Sequence, residues 1–154
     1  MKLKHHFTLA SLALAVVVSL AGYHRQVYAT MTNEKIEQSV RAVLDMQVQA
    51  WNRGDIEGFM QGYAKSDETV FVSGDNVTRG WQTVLDRYKK TYDSREKMGT
   101  LEFSELEIKP LGKDAAVALG RWKLTREKDT PHGRFTLIFH RTKNGWRIIH
   151  DHTS

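Results

Sequence analysis

The last twenty-two residues, Gly133 to Ser154, constrain this chain more than any other stretch. Two β-rich runs flank Asn144-Gly145, a dipeptide in which both residues tolerate positive φ, and that pattern predicts a hairpin closed by a two-residue turn. Such a turn sets the register: Lys143 opposes Trp146, Arg141 opposes Ile148, Phe139 opposes His150, and Leu137 opposes His152. Side chains alternate between faces. One face is therefore expected to carry Phe135, Leu137, Phe139, Trp146, Ile148, His150 and His152. The other would carry Thr136, Ile138, His140, Ile149 and Asp151. Neither is plainly a water face, so the hairpin is expected in a sheet with helices on one side and another subunit on the other.

The opposite end of the chain reads as a targeting segment. Lys2 and Lys4 precede an apolar run from Phe7 to Gly22, and no acidic residue occurs before Glu34. Val27-Tyr28-Ala29 offers small or aliphatic residues where signal peptidases read, so residues 1–29 are expected to be a cleaved secretory signal. The apolar run is short for a membrane span. The expected product is a periplasmic or secreted domain over residues 30–154, with no stable membrane association after cleavage. Residues 1–29 hold three of the 23 Lys and Arg and no acid, so 20 basic residues face 18 acidic ones in the remainder. That small surplus argues against nucleic acid as a partner. Arg87-Tyr88-Lys89-Lys90 is the one basic run with an aromatic in it, and it reads as an exposed helix face. With no cysteine in the chain, packing alone must hold an exported domain together.

Between these ends the periodicity changes once. Asn33 is placed as a helix cap, and Ile36, Val40, Val43, Leu44, Val48 and Trp51 form a helical stripe. Gly54 stops it and Asp55 caps a second helix with Ile56, Phe59, Met60 and Tyr63 inward. Thr69 to Val72 reads as a short strand, closed by the turn residues Ser73 to Asn76. A third helix follows Gly80, with Trp81, Val84, Leu85, Tyr88 and Tyr92 on one side. After Gly99 the pattern becomes β, with strands over Leu101–Pro110 and Ala115–Arg126 ahead of the terminal hairpin. Helices followed by an antiparallel meander define an α+β fold, a curved antiparallel sheet wrapped around three N-terminal helices.

This order resembles the nuclear transport factor 2-like superfamily, and within it the SnoaL-like, ketosteroid isomerase-like small proteins. Three pieces carry the resemblance: Ala50-Trp-Asn-Arg-Gly-Asp55, Val77-Thr-Arg-Gly80, and Gly145-Trp-Arg-Ile-Ile-His-Asp-His-Thr-Ser154. The last is also similar to the association domain of calcium/calmodulin-dependent kinase II. The resemblance implies a cone-shaped fold with a pocket between helices and sheet, and a dimer made through the sheet. It does not fix a function, because this fold hosts enzymes, carriers and assembly modules.

Candidate site residues follow from both readings. Arg121 lies mid-strand in an apolar run with Val117 and Leu119, where a charge must be paired or hydrated in a cavity. It is a candidate clamp for a carboxylate-bearing ligand, with a salt bridge to Glu105 or Glu107 as the alternative. By resemblance, its counterpart in the kinase association domain lies in the pocket and recognises acidic groups. His150 and His152 are the candidate general acid/base groups. They share a strand face, but His140 points the other way, so no metal site is assigned. His140 and Asp151 are expected to form a structural pair on the outer face. Trp51, Tyr63, Phe71, Tyr88 and Phe139 are expected to line the interior, with the Tyr63 and Tyr88 hydroxyls in a cavity. The steroid isomerase route fails on inspection, because Gln47 stands where its tyrosine belongs and Val72 where its aspartate belongs. No Gly-rich phosphate loop or nucleophile elbow is present, and no cofactor is implied. The leading expectation is an exported homodimer that binds a small, partly apolar and acidic ligand. The alternatives are an enzyme using a pocket histidine and a ligand-free dimerisation module.

Overall fold

The computed structural model describes residues 32–154. The chain divides into two compact units, residues 1–35 and 36–154. Of the first, residues 32–35 are described and are helical, so Asn33 sits within a helix and not at its cap. The proposed signal over residues 1–29 lies outside the described residues.

In the second unit, helix α1 covers residues 36–52. Its apolar stripe is buried as the spacing predicts, with Ile36, Val40, Leu44, Ala50 and Trp51 in the core. Gly54 follows at φ 84°, and the Asp55 carboxylate accepts from the Gly58 amide at 2.7 Å to cap α2, Ile56–Met60. A cap of this kind is worth about 1 kcal/mol. Strands β1 (Val70–Ser73) and β2 (Asn76–Arg79) form a hairpin, so Val77-Thr-Arg79 is a strand that the sequence pattern did not reveal. Helix α3 spans Trp81–Thr91, and a single turn, α4, spans Arg95–Met98. Long strands β3 (Thr100–Pro110), β4 (Ala115–Thr125), β5 (His132–Thr142) and β6 (Gly145–Thr153) complete the domain.

The strands make one curved, unclosed sheet in the order β2-β1-β6-β5-β4-β3. The fold is α+β as expected, with one departure from a purely antiparallel sheet: β1 pairs parallel with β6. Side chains tie the helices to the sheet where backbone ladders do not reach. Asn52 brackets Leu101, accepting from its amide at 2.7 Å and donating to its carbonyl at 3.0 Å. The Trp51 indole donates to the Met98 carbonyl at 3.1 Å, and the Trp81 indole to Met60 at 3.0 Å, so both buried donors are satisfied. Among the described residues, no helix is long and apolar enough to cross a membrane.

Two local features decide which way the strands face. In β4 the small residues Ala116, Ala118 and Gly120 are buried, and Trp122 and Leu124 continue their face. Val117, Leu119 and Arg121 therefore point outward. The reason is steric: the neighbouring strand brings the Phe135 ring over Gly120, and Leu106 presses from β3. In β6 the register shifts by one residue. The hairpin turns at Lys143-Asn144, with Thr142 paired to Gly145. Phe139 therefore pairs with Ile148 and not with His150 as the Asn144-Gly145 turn would require, and Ile138 then pairs with His150. Ile149 is the extra residue of a β-bulge.

A Cβ on Gly120 would sit 2.8 Å from Leu106 Cδ2 and overlap the Phe135 ring. Gly120→Ala is expected to cost about 1–3 kcal/mol through overpacking, read as a lower urea midpoint. An unchanged midpoint would show that β4 and β5 separate freely at this position.

Candidate functional site

Beyond the bulge, every β6 side chain faces the opposite way from simple alternation. Asp151, expected on the outer face, is 3% exposed and turned inward beside Phe71, its register partner in β1. His150 and His152, expected inside with Phe139, point to the outer face. Neither lines the interior cavity. His140 is exposed and pairs with Arg147, so the expected His140–Asp151 contact does not form. Arg121 is also outside, across from Ser104 and Arg134, and it is Arg134 that bonds to Glu105, at 2.5 Å. The expectation that a guanidinium and two imidazoles share a hollow is therefore corrected on one point. They do share a face, but it is the sheet's outer one.

The hollow itself exists. Between helices and sheet lies a cavity of about 210 Å³. Trp51, Tyr63, Phe71 and Tyr88 line it as the sequence reading anticipated, whereas Phe139 is fully buried in the core away from it. Its lining residues sort by depth. Gln47, Phe59, Leu137 and Asp151 are buried, while Ser73, Arg87, Tyr92, Phe103 and Trp122 are half-buried at the open end. Ring pairs hold the wall in shape: Trp51 lies edge-on to Tyr92 at 4.7 Å and to Phe59 at 5.1 Å, and Tyr88 stacks on Tyr92 at 5.8 Å.

At the inner end a polar group stands among these rings. The Tyr63 hydroxyl donates to Asp151 Oδ2 at 2.6 Å, and the Thr153 hydroxyl donates to Oδ1 at 2.6 Å. Tyr63 is brought there by backbone. It forms a parallel bridge to Ile148, with the Ala64 amide donating to the Ile148 carbonyl at 2.8 Å and the Ile148 amide to Gly62 at 2.8 Å. The bulge follows at once and swings Asp151 under the phenol. Gln47 closes the same end by donating to the Phe59 carbonyl at 3.1 Å. Val72 points away from the cavity, as the alternation of β1 requires with Phe71 inward.

Burial dominates the electrostatics. It pushes the Asp151 carboxyl from 3.8 up to about 6, although the hydrogen bonds from Thr153 and Tyr63 pull the other way. Burial, and then the charge of Asp151, raise the Tyr63 phenol well above its ordinary value, and burial does the same for Tyr88. Both phenols are therefore neutral donors at every working pH. Among the described residues, no three His, Cys, Asp or Glu side chains converge in a way that could hold a metal ion. Asp151, Arg87, Tyr92 and Trp122 are lining residues that sequence reasoning missed. The basic run that contains Arg87 has the pattern of an exposed helix face, and the bulge reverses the facing of Asp151.

A curved sheet closed over helices around an aromatic cavity defines the nuclear transport factor 2-like class of folds. The SnoaL-like domain model matches residues 40–154, and the chain belongs to that family. It is similar to an NTF-2-like protein of unknown function from Shewanella oneidensis MR-1, with 40% identity over 77% of this chain and 98% of that one, at a TM-score of 0.74. An NTF2-like superfamily protein from Salmonella enterica serovar Typhimurium shares 25% identity over 79% and 91% of the two chains, at a TM-score of 0.63. A Xanthomonas campestris protein described as a calcium/calmodulin-dependent protein kinase II association domain matches at 18% identity over 75% and 84%, at a TM-score of 0.59, a likeness of fold alone. No curated protein matches the sequence.

A carboxyl raised above its unfolded value favours folding when protonated. Asp151 therefore contributes stability that is full below 3.8 and is lost as pH rises through about 6. Asp151→Asn should exceed the parent in stability at about pH 8, by roughly 2 kcal/mol, and lose that advantage by about pH 4. Thermal melts across that range check this. Equal melting curves at both ends would mean that the carboxyl is hydrated.

Proposed function

We propose that this chain is an exported, homodimeric small-molecule-binding protein whose ligand occupies the aromatic cavity and hydrogen-bonds to Asp151 at its inner end. The observation that carries the reading is a buried, ionisable carboxyl that lines the cavity. Interiors close-pack, and an ionisable group buried among aromatic rings costs stability. Retaining both together favours a ligand that fills the space and uses the carboxyl. The same hollow counts against a ligand-free assembly module. Export is supported by the Lys2, Lys4 and Ala29 pattern, and it predicts a mature N-terminus at Thr30. Dimerisation through the sheet is supported by its outer face, where Leu119 and Ile138 are 38% and 37% exposed.

A second reading, acid–base catalysis, is favoured by the same residue. A carboxyl titrating near 6 is suited to take and return a proton close to neutral pH. Asp151, with Tyr63 as its orienting donor, would then hold the role that sequence reasoning gave to His150 and His152.

Binding can be followed through Trp51 and Trp122, which line the cavity. The neutral probe 2-naphthol is expected to quench their fluorescence saturably. Asp151→Leu should weaken it by about tenfold, the loss of one hydrogen bond to a charged or polar acceptor. No saturable quenching in the parent would end the binding reading. For catalysis, deuterium uptake from heavy water at the carbon beside the carbonyl of 2-tetralone should rise through about pH 6 and vanish in Asp151→Asn. Uptake at the buffer rate in both proteins would leave binding alone.

A further inference from the structure

The cavity lining holds one cation as well as one carboxyl among the described residues, and the two do not bond to each other. Arg87 projects from α3 at the open end. Its Nη1 donates to the Thr78 hydroxyl at 3.1 Å, and its guanidinium carbon stands 4.8 Å over the Phe71 ring. These contacts hold the group in place without neutralising it. Among the described residues, Arg87 pairs with no carboxylate, whereas Arg53, Arg126 and Arg134 each do, and Arg95 is spent on the carbonyls of Trp51, Asn52 and Gly99. A guanidinium has five N–H donors in a fixed fork. One bond to a hydroxyl leaves most of that fork unengaged.

The surroundings suit a planar anion. Ser73 and Thr91 add hydroxyls to the lining, Thr91 one helical turn after Arg87, and most of the remaining wall is aromatic. Phe71 links the two polar points, because its ring lies beneath Arg87 while its register partner in β6 is Asp151. A molecule seated along Phe71 would reach the guanidinium with one end and the inner carboxyl with the other.

Resting on the cavity-binding reading above, we infer that the ligand is a flat aromatic or alicyclic carboxylate, with its carboxylate on Arg87 at the open end and its ring system directed inward toward Asp151. The fork of a single guanidinium matches a carboxylate with two parallel hydrogen bonds. The acidic ligand expected from Arg121 thus keeps its chemistry and changes its recognition residue, since Arg121 faces away from the cavity.

Calorimetric titration of the full chain with 2-naphthoate and with its neutral counterpart 2-naphthamide tests this directly. The acid should bind at least about tenfold more tightly than the amide, as expected for a hydrogen-bonded charge pair. Arg87→Gln should erase that preference while leaving amide affinity unchanged, and Arg87→Lys should restore part of it. Retained 2-naphthol quenching shows that each variant is folded with its cavity intact. Equal affinities for acid and amide, or a preference that survives Arg87→Gln, would overturn the anion inference. Binding of 2-naphthol and 2-naphthamide without 2-naphthoate leaves the cavity reading standing and overturns this one. Failure of all three probes to bind the parent overturns both.

Discussion

One extra residue in the last strand governs the chemistry of the interior. With Ile149 bulged, Ile148 and Asp151 both face inward although an odd number of positions separates them. Without the bulge, an unbroken pleat would turn His150 and His152 to the helices and leave Asp151 on the outer face. The domain would still be α+β with the same strand order, but its cavity would end in imidazoles. A single backbone irregularity thus decides which functional groups the fold presents, while the hydrophobic pattern decides only that there is a fold.

The bulge does not act alone. Tyr63 arrives on a short parallel bridge to Ile148, the residue before the irregularity. Phe71 arrives on β1, which pairs with β6 from the other side of the bulge. The inner end of the cavity is therefore built from three segments, with Tyr63 and Phe71 near each other in sequence and Asp151 far from both, joined by backbone hydrogen bonds within a few residues of one another. The consequence for electrostatics is direct. Asp151 is buried and held by two hydroxyl donors, and its ionisation is set by burial more than by any neighbouring charge.

The fold was legible because it rests on periodicities that survive local error. The stripe from Ile36 to Trp51 and the Asp55 cap report local physics and lie where the spacing puts them. The terminal hairpin forms with its two-residue turn at Lys143-Asn144, one position before the expected Asn144-Gly145. Tyr63 and Tyr88 were also legible, since helix-stripe aromatics near an interior must seek partners for their hydroxyls. The facing of β4 and β6 was not. In β4 the bulky residues Val117 and Leu119 look like core, but over this stretch the close packing of the sheet puts the small residues Ala116, Ala118 and Gly120 inward, and larger inward side chains resume at Trp122 and Leu124. In β6 no glycine marks the bulge. The available hint was the pair Ile148-Ile149, which strict alternation cannot bury on one face. Arg87 was hidden by its neighbours Lys89 and Lys90, which are exposed as a charged run should be.

The position of β6 has a consequence for how the domain is made. This strand lies inside the sheet between β1 and β5, yet it is translated after the other five described strands. Until Gly145–Thr153 docks, β1 and β2 have no bond to the meander, and the pocket lacks one wall. Native pairings that span so much sequence are slow to form. Nascent chains should therefore remain open, and accessible to chaperones, until synthesis of this segment is finished.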